Sequence, residues 1–476
     1  MSPKSLINLL RGWPAPSMLP AAALQRAVDR ILSNPAVAKT ALAYGPDLGY
    51  QPLREELARW LGRSYGVSPD HDRICITGGA SQSLACILQS YTDPIVTRAI
   101  WLAAPCYFLA CPIFEDAGFG RRMRAVPEDA HGIDLDKLEQ GFRAVDRDSD
   151  DSSSEAVSLV EIGPVARLLL TRHPEQLKRP AFRKIFKHVV YVVPTCSNPT
   201  GLSMPLSRRK ELVSLARRYD ALVISDDVYD FLQWPASGAL WKTTPSTHMP
   251  LLPRLSDIDD ELHKTTSTDT NGQDFGNTVS NGSFSKLVGP GIRTGWIDAK
   301  PAFALGLSKT GSSRSGGAPS QIGAAIMHEM LASGDLYRHI DTVSNPTLQR
   351  RHRLIQEAIE THLQPLGLTV VSENLRGSGV YGGYFVWLTL PKGINCDDLA
   401  VAAKEANLII GAGSLCRVRA FSSAPNTTRA SNDACIEFND KIRLSFSWEP
   451  EDMIVEGVQR LAEVIRDLKV VRVQRK

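Results

Sequence analysis

The most constraining feature of this sequence is a series of short apolar runs separated by stretches with helical periodicity. Four such runs cover residues 74–76, 99–103, 189–193 and 222–225, and residues 208–218 form one of the helical stretches. Strands that alternate with helices predict an α/β fold built on a mostly parallel sheet. The sequence therefore predicts a sheet sandwiched by helices as the centre of the molecule.

The length of 476 residues exceeds what one compact core usually organises, so more than one domain is expected. Residues 21–33 and 51–62 have the pattern of amphipathic helices, the second closing near Gly62. After about residue 335, helices surround a small strand group. We therefore expect an N-terminal segment (1–40), a large domain (41–335) and a small C-terminal α+β domain (336–476).

Two polar stretches interrupt the large domain. They cover about residues 143–180 and 236–280. Within them, residues 145–156 are acidic and rich in serine, and residues 254–281 are polar with few large apolar side chains. Such composition is typical of surface loops rather than packed elements. We interpret both as insertions.

Composition excludes several classes of function. The net charge is only +3, which gives no broad basic face for nucleic acid. No apolar stretch is long enough to span a membrane, and the first residues do not resemble a leader peptide. Eight cysteines form no CxxC pair and no zinc-type cluster with histidine, so no metal site is predicted. Buried thiols in the cytoplasm are the expectation.

Three segments that follow one another along the chain contain side chains that could take part in catalysis. The first is Ser197-Asn198-Pro199-Thr200-Gly201, the second has Asp226 and Tyr229 after an apolar run, and the third contains Lys286. Taken singly they would be an ordinary turn, a helix cap and a surface lysine. In open α/β sheets, however, ligands bind where the carboxyl ends of strands converge. A carboxylate suits a pyridine nitrogen, an amide or phenol suits a phenolic oxygen, and an amine suits an aldehyde.

These motifs resemble those of the class I/II aminotransferases, which are fold-type-I enzymes that use pyridoxal 5'-phosphate (PLP). The resemblance is strongest to the aminoadipate/kynurenine-aminotransferase-like subgroup and has a fungal character. Its specific elements are SNPTG, DDxY, SxSK with an arginine seven residues after the lysine, and RLSFS near the end. It extends from about residue 7 to about residue 468.

The resemblance implies a role for each matching residue. Lys286 would hold PLP as a Schiff base and move the proton during catalysis, while Asp226 would keep the pyridine nitrogen protonated. Asn198 and Tyr229 would bind the ring hydroxyl. The other implied cofactor contacts are Tyr107 on the ring face, and Gly79, Ala80, Ser81, Ser283, Ser285 and Arg293 at the phosphate.

The resemblance also implies substrate and subunit contacts. Arg443, with Asn198, would bind the substrate α-carboxylate, because a guanidinium can grip a carboxylate with two parallel bonds. Gly12 resembles part of an N-terminal segment that covers the substrate. Tyr44 resembles a tyrosine that reaches the phosphate of a neighbouring subunit, which implies a homodimer with shared active sites.

The function implied is transfer of an amino group between an L-amino acid and a 2-oxo acid. A carbon–sulfur β-elimination lyase of fungal secondary metabolism is the alternative on the same scaffold, because both reactions begin with removal of the same proton. A PLP-sensing transcription factor is not expected, since the aminotransferase pattern begins near residue 7 and leaves no winged helix before it.

Overall fold

The computed structural model of the chain describes residues 5–151, 182–235, 252–266, 274–371, 380–418 and 436–474. The strands of these parts are β1 (Ile7–Asn8), β2 (Ile74–Thr77), β3 (Ala99–Ala104), β4 (Met123–Asp129), β5 (Gly132–Ile133), β6 (His188–Val192), β7 (Leu222–Asp226), β8 (Gln233–Pro235), β9 (Thr278–Ser283), β10 (Gly295–Asp298), β11 (Thr369–Val370), β12 (Val380–Gly382), β13 (Phe385–Thr389), β14 (Leu408–Ile409), β15 (Gly411–Ala412) and β16 (Lys441–Ser445).

The α-helices of the same parts vary from one turn to more than six turns. They are α1 (Ala21–Leu32), α2 (Pro35–Leu42), α3 (Gln51–Tyr65), α4 (Ala80–Tyr91), α5 (Cys111–Phe114), α6 (Leu135–Asp151), α7 (Leu206–Arg218), α8 (Leu255–Thr266), α9 (Pro301–Ser308), α10 (Gly311–Arg314), α11 (Gln321–Ala332), α12 (Asp335–His339), α13 (Asn345–His362), α14 (Cys396–Glu405) and α15 (Glu451–Gln474).

An eight-stranded sheet forms the centre of the molecule, in the order β2-β10-β9-β7-β6-β3-β4-β5. The pairs from β9 through β7, β6 and β3 to β4 are parallel, whereas β10 and β5 run antiparallel to their neighbours. The predicted fold class, an α/β sheet that is mostly parallel, is confirmed.

The central strands are apolar on both faces because both faces are covered. In β3, Ile100 and Leu102 belong to one apolar cluster, while Ala99 and Trp101 belong to another. Strand β6 alternates between the same two clusters. A strand buried on both faces has a continuous apolar sequence rather than an alternating one, which explains the pattern seen in the sequence.

The sheet order brings the carboxyl ends of six strands to one edge, and five of these ends precede the motifs found in the sequence. Strand β2 is antiparallel to β10, and β10 is antiparallel to β9, so β2 runs in the same direction as β9. The carboxyl ends of β2, β9, β7, β6 and β3 therefore lie along one edge. The segments that follow these ends contain the motifs found in the sequence.

A second, four-stranded sheet has the order β11-β13-β16-β15. Strand β1 lies nearby and pairs in parallel with β14, with Ile7 opposite Leu408 and Asn8 opposite Ile409. The first described residues of the chain are thereby attached to an element that lies about four hundred residues later in the sequence.

Two sequence interpretations are corrected by the structure. Helix α3 continues past Gly62 to Tyr65, and Gly66 caps it with φ +71°. A glycine adopts this left-handed conformation without a steric penalty, so Gly66 is the stop signal. In the second predicted insertion, residues 255–266 form helix α8 rather than a loop. Its Leu255 and Ile258 are buried in the cluster that includes Leu212 of α7.

Residues 278–280, at the end of the second predicted insertion, belong to strand β9 rather than to a loop. Residues 152–180, 236–251 and 267–273 of the two predicted insertions lie outside the described residues. The described part of the first insertion belongs to helix α6.

Candidate active site

A cavity of about 470 Å³ lies at the edge of the sheet where the strand ends converge. Twelve of the fourteen site residues predicted from the sequence line it, namely Gly12, Ala80, Ser81, Tyr107, Asn198, Asp226, Tyr229, Ser283, Ser285, Lys286, Arg293 and Arg443. The three key groups, an amine, a carboxylate and an amide, therefore share one cavity although they are distant in sequence.

Lys286 lies in the turn that follows β9, and its amine is buried. The Nζ atom donates a hydrogen bond of 2.7 Å to the carbonyl of Gly12. Burial lowers the pKa of Lys286 to about 8, although the carboxylate of Asp226 partly opposes this effect. A lowered pKa leaves a useful fraction of neutral amine near neutral pH, as a nucleophile or proton acceptor requires.

Asp226 ends strand β7 and keeps one oxygen uncommitted. Its Oδ2 atom accepts a 2.6 Å hydrogen bond from the Tyr191 hydroxyl. Its Oδ1 atom is buried and has no hydrogen-bond partner among the described residues. Burial raises the pKa of Asp226 to about 6, while the bond from Tyr191 acts in the opposite direction. A buried acceptor without a partner is costly, so Oδ1 is suited to a donor on a ligand.

Tyr191 was not predicted from the sequence as a site residue. It lies inside strand β6, between valines, and belongs to no motif. The only available signal was a hydroxyl in an otherwise apolar strand, since a buried tyrosine usually has a hydrogen-bond partner. Identifying that partner required the register of β6 against β7, which aligns Tyr191 with Ile224.

Arg443 joins the sheet edge to the N-terminal segment. Its Nη1 atom donates to Asn198 Oδ1 at 2.6 Å, and its Nη2 atom donates to the Leu10 carbonyl at 2.8 Å. The guanidinium also lies 4.1 Å from the ring centroid of Phe385. Burial lowers its pKa. These neutral partners leave the positive charge of Arg443 uncompensated and available to a carboxylate.

A second group of residues is suited to an anion. Helix α4 begins at Ala80, directly after Gly79, and helix N-termini attract anions through their free amides. Arg293 Nη2 donates to the Gly78 carbonyl at 2.8 Å. A Cβ on Gly79 would lie 3.0 Å from the same nitrogen, so glycine leaves space for the guanidinium. Ser283 Oγ donates to Ser285 Oγ at 2.9 Å.

Aromatic side chains complete the wall around the amine. Tyr107 and Tyr229 line the cavity, and Lys286 Nζ lies 5.8 Å from the ring centroid of Tyr229. The hydroxyl of Tyr384 donates to the Lys286 carbonyl at 3.0 Å and so fixes the backbone that bears the amine. Tyr384 is another contact that was not predicted.

The N-terminal segment contributes more of the cavity than Gly12 alone. Asn8, Leu10, Arg11 and Trp13 also line it; the segment around Gly12 was expected to cover the substrate, but none of these four was named as a site residue. Gly12 packs so closely that a Cβ there would lie 2.3 Å from the Phe385 ring. The contacts of this segment are to strands and loops far away in sequence, so no local pattern indicated them.

Two predicted residues do not line the cavity. Gly79 lies beside it and positions the start of helix α4, as described above. Tyr44 is 90% exposed and lies outside the cavity of its own chain.

Together, the buried amine, the carboxylate with an open oxygen, the amide and the helix start have the chemistry that could hold a phosphorylated pyridine aldehyde. The comparisons with known proteins agree. The model of the family "Aminotransferase class I and II" matches residues 14–431. The chain belongs to this family. Its predicted class, a PLP-dependent aminotransferase, is confirmed, and the lyase alternative is not favoured.

Similar proteins include an uncharacterised protein of Saccharomyces cerevisiae, which is 33% identical over 86% of this chain and 88% of its own length. The 2-aminoadipate transaminase of Thermus thermophilus is 27% identical over 97% of this chain and 91% of its own length. A crystal structure of kynurenine aminotransferase from Pyrococcus horikoshii, in complex with PMP, superposes with a TM-score of 0.71. It is 25% identical, covering 98% of this chain and 91% of that one.

Two further observations concern the described residues. None of their helices combines the length and the apolar character that crossing a bilayer demands. Their histidine, cysteine and acidic side chains form no group of three or more that could hold a metal ion.

Proposed function

We propose that the cavity at the strand ends is where this chain binds PLP and transfers an amino group from an L-amino acid to a 2-oxo acid. The observation that carries this proposal is the pairing, within one cavity, of the Lys286 amine and the unpartnered Oδ1 atom of Asp226. The first suits the aldehyde of PLP and the second suits its pyridine nitrogen.

The remaining groups of the cavity fit the cofactor as well. Its phosphate would be held by the amides of Gly79–Ser81, the hydroxyls of Ser283 and Ser285, and the guanidinium of Arg293. Its ring hydroxyl would be bound by Asn198 and Tyr229, and its ring face would be covered by Tyr107. Every polar group of the cofactor thus has a chemically matched partner.

When bound, PLP supplies an aldehyde that exchanges amino groups and a ring that accepts electrons from the substrate Cα. Lys286, once its amine is free, removes the proton from the substrate Cα, because its lowered pKa keeps part of the population neutral. Asp226 holds the proton on the pyridine nitrogen. Arg443 binds the substrate α-carboxylate and thereby orients the Cα–H bond toward Lys286.

The same proposal includes the larger organisation of the protein. The eight-stranded sheet supports a large domain at 41–335, and the four-stranded sheet supports a small domain at 336–476. Because Tyr44 is exposed, it is free to reach the phosphate site of a second copy, as a homodimer with shared sites requires. The seven described cysteines are buried and none of them is part of a disulfide, which suits the cytoplasm.

A panel of L-amino acids offered to the purified protein tests the proposal. The absorbance of the bound cofactor is followed with and without 2-oxoglutarate. Transamination bleaches the signal, and the signal recovers only when the oxo acid is added. A protein that never takes up PLP, or whose signal no amino acid changes, would contradict the proposal. Release of pyruvate and ammonia from a cysteine conjugate without an oxo acid would instead indicate the lyase.

A further inference from the structure

The charges that line the cavity do not balance. Four cationic side chains face it, those of Arg11, Lys286, Arg293 and Arg443, against the single carboxylate of Asp226. Buried or partly buried cations are stable when an anion or a set of acceptors accompanies them. The excess of positive charge therefore indicates that the natural ligands of the cavity bring several negative charges.

Three of the four cations are matched by the proposed function. Arg293 lies at the phosphate site, Arg443 lies at the α-carboxylate site, and Lys286 loses its charge when it bonds the cofactor aldehyde. Asp226 is matched by the pyridine nitrogen. Arg11 remains without an assigned anion.

The guanidinium of Arg11 is positioned although it is not paired. It lies 4.6 Å from the ring centroid of Trp13 and 4.8 Å from that of Trp448. Among the residues that the structure describes, no hydrogen bond or ion pair involves this guanidinium. The two rings stand at 85° to each other, so they border the guanidinium on two sides and restrict its position. A cation that is held in place while its N–H donors have no partner among the described residues suits a carboxylate.

The backbone around Arg11 is also held in place. Asn8 Oδ1 accepts hydrogen bonds from the amides of Leu10 at 3.1 Å and Arg11 at 3.0 Å. On either side of Arg11, the carbonyl of Leu10 accepts from Arg443 and the carbonyl of Gly12 accepts from Lys286. The residue between these carbonyls is thereby kept close to both the carboxylate clamp and the reactive amine.

We infer that Arg11 determines substrate specificity by binding a second, distal carboxylate. The substrates would then be dicarboxylic amino acids and dicarboxylic 2-oxo acids. This inference rests on the proposed function, because Arg443 must take the α-carboxylate before Arg11 can take the other one.

Equilibrium binding of two unreactive acids to the PLP-loaded protein tests the inference. Glutarate has two carboxylates, whereas pentanoate has the same chain length and one. Isothermal titration calorimetry should find that the wild type prefers glutarate by about tenfold, as expected for one partly solvated charge-assisted pair. Arg11→Gln should remove most of this preference, and Arg11→Lys should retain part of it.

Arg353→Gln is the matched control, because it removes an exposed arginine of α13 and changes the net charge equally. It should leave the preference unchanged. A preference that survives Arg11→Gln would overturn the inference. A second test needs only the wild-type protein. Raising the ionic strength from about 0.05 M to about 0.5 M should weaken the binding of glutarate more than the binding of pentanoate. If the binding of both acids weakened equally, Arg11 would not be binding a second carboxylate.

Failure of the proposed function would have a different signature. It would appear as a protein that does not load PLP or does not bleach with any amino acid. Failure of the Arg11 inference would appear as a loaded, transaminating enzyme that does not distinguish glutarate from pentanoate.

Discussion

The cavity is made from two regions that are built very differently. One, which we call the strand-end floor, consists of Asn198, Asp226 and Lys286, which lie at the ends of strands of the large sheet or in the turns that follow them. Tyr191 supports this floor from within β6 through its hydrogen bond to Asp226. The other, the N-terminal roof, consists of residues 8–13 and is held by backbone hydrogen bonds of Leu9 to Ile409 and Ser445, and by side-chain bonds from Lys286 and Arg443. The floor is fixed by a sheet of eight strands, whereas the roof is fixed by one short strand pair and a few side chains.

This difference suggests that the floor performs the chemistry and the roof selects the substrate. Groups that make and break bonds need positions accurate to a fraction of an ångström, which rigid strands provide. Groups that select among substrates can lie on a segment whose sequence changes without disturbing the sheet. We therefore expect substitutions in the floor to lower kcat and substitutions in the roof to raise KM. The predictions below test this difference, beginning with the largest effect.

Lys286→Ala should lower the rate of transamination by about three orders of magnitude or more, because it removes both the anchor of the cofactor and the proton carrier. The absorbance of bound PLP and single-turnover kinetics measure this. Lys404→Ala, which removes an exposed lysine of α14, is the control and should behave as the wild type. An active Lys286→Ala protein would mean that the floor does not carry the chemistry.

Asp226→Asn should lower kcat by about a hundredfold, because an amide cannot hold the pyridine proton. Without cofactor the same change should stabilise the protein. Since folding raises the pKa of Asp226 to about 6, protonation favours the fold at low pH, and this stabilisation is lost as the pH rises through 6. At about pH 7.5 the variant should therefore be more stable by about 2–3 kcal/mol.

Urea unfolding of the cofactor-free proteins checks the stability prediction. The gain in the free energy of unfolding should shrink as the pH falls toward about 4, where the wild-type carboxyl is protonated in the folded state. A variant that is less stable at every pH would indicate that Asp226 has a purely structural role.

Tyr191→Phe should lower kcat/KM by about tenfold, since it removes a hydrogen bond to a charged acceptor. The loss of that bond also raises the pKa of Asp226, so the acidic limb of the pH profile should move to higher pH. Tyr219→Phe is the control, because its hydroxyl donates to Glu139 away from the cavity. If activity fell by the same factor at every pH and the acidic limb of the profile did not move, Tyr191 would not act through Asp226.

Asn8→Ala should have the smallest effect and should change KM rather than kcat. It removes the acceptor that holds the amides of Leu10 and Arg11, worth about 1 kcal/mol or roughly fivefold in KM. Asn34→Ala is a matched control, since Asn34 accepts from two amides at the start of α2 in the same manner. It should lower Tm and leave KM unchanged. If Asn8→Ala and Asn34→Ala changed KM equally, the roof would have no special role in substrate binding.

The same difference explains how much of the site was predictable. Asn198 and Asp226 could be found because each follows an apolar run, and the edge of a parallel sheet is where such ends meet. Lys286 follows β9, whose sequence TVSNGS is polar, so it was found through its place in the SxSK motif. The sheet itself was predictable because strands buried on both faces have continuous apolar sequences. The exact end of α3 was missed, since both Gly62 and Gly66 satisfy the local rule and only packing distinguishes them.

The residues of the roof, and Tyr191, which supports Asp226 in the floor, were not predictable in the same way. Arg11 and Trp13 have no periodic pattern, and their partner Trp448 is more than four hundred residues away in sequence. Tyr191 looked like any aromatic residue in a strand. Contacts of this kind depend on the register of strands and the docking of segments, which local physics does not specify.

The pairing of β1 with β14 has a consequence for the order in which parts of the structure can form during synthesis. Residues 7–10 are synthesised about four hundred residues before their partners at positions 408–409 and 443. The large sheet can assemble while its cavity is still uncovered. The contacts that hold the roof over the cavity therefore cannot form until residue 443 has been translated.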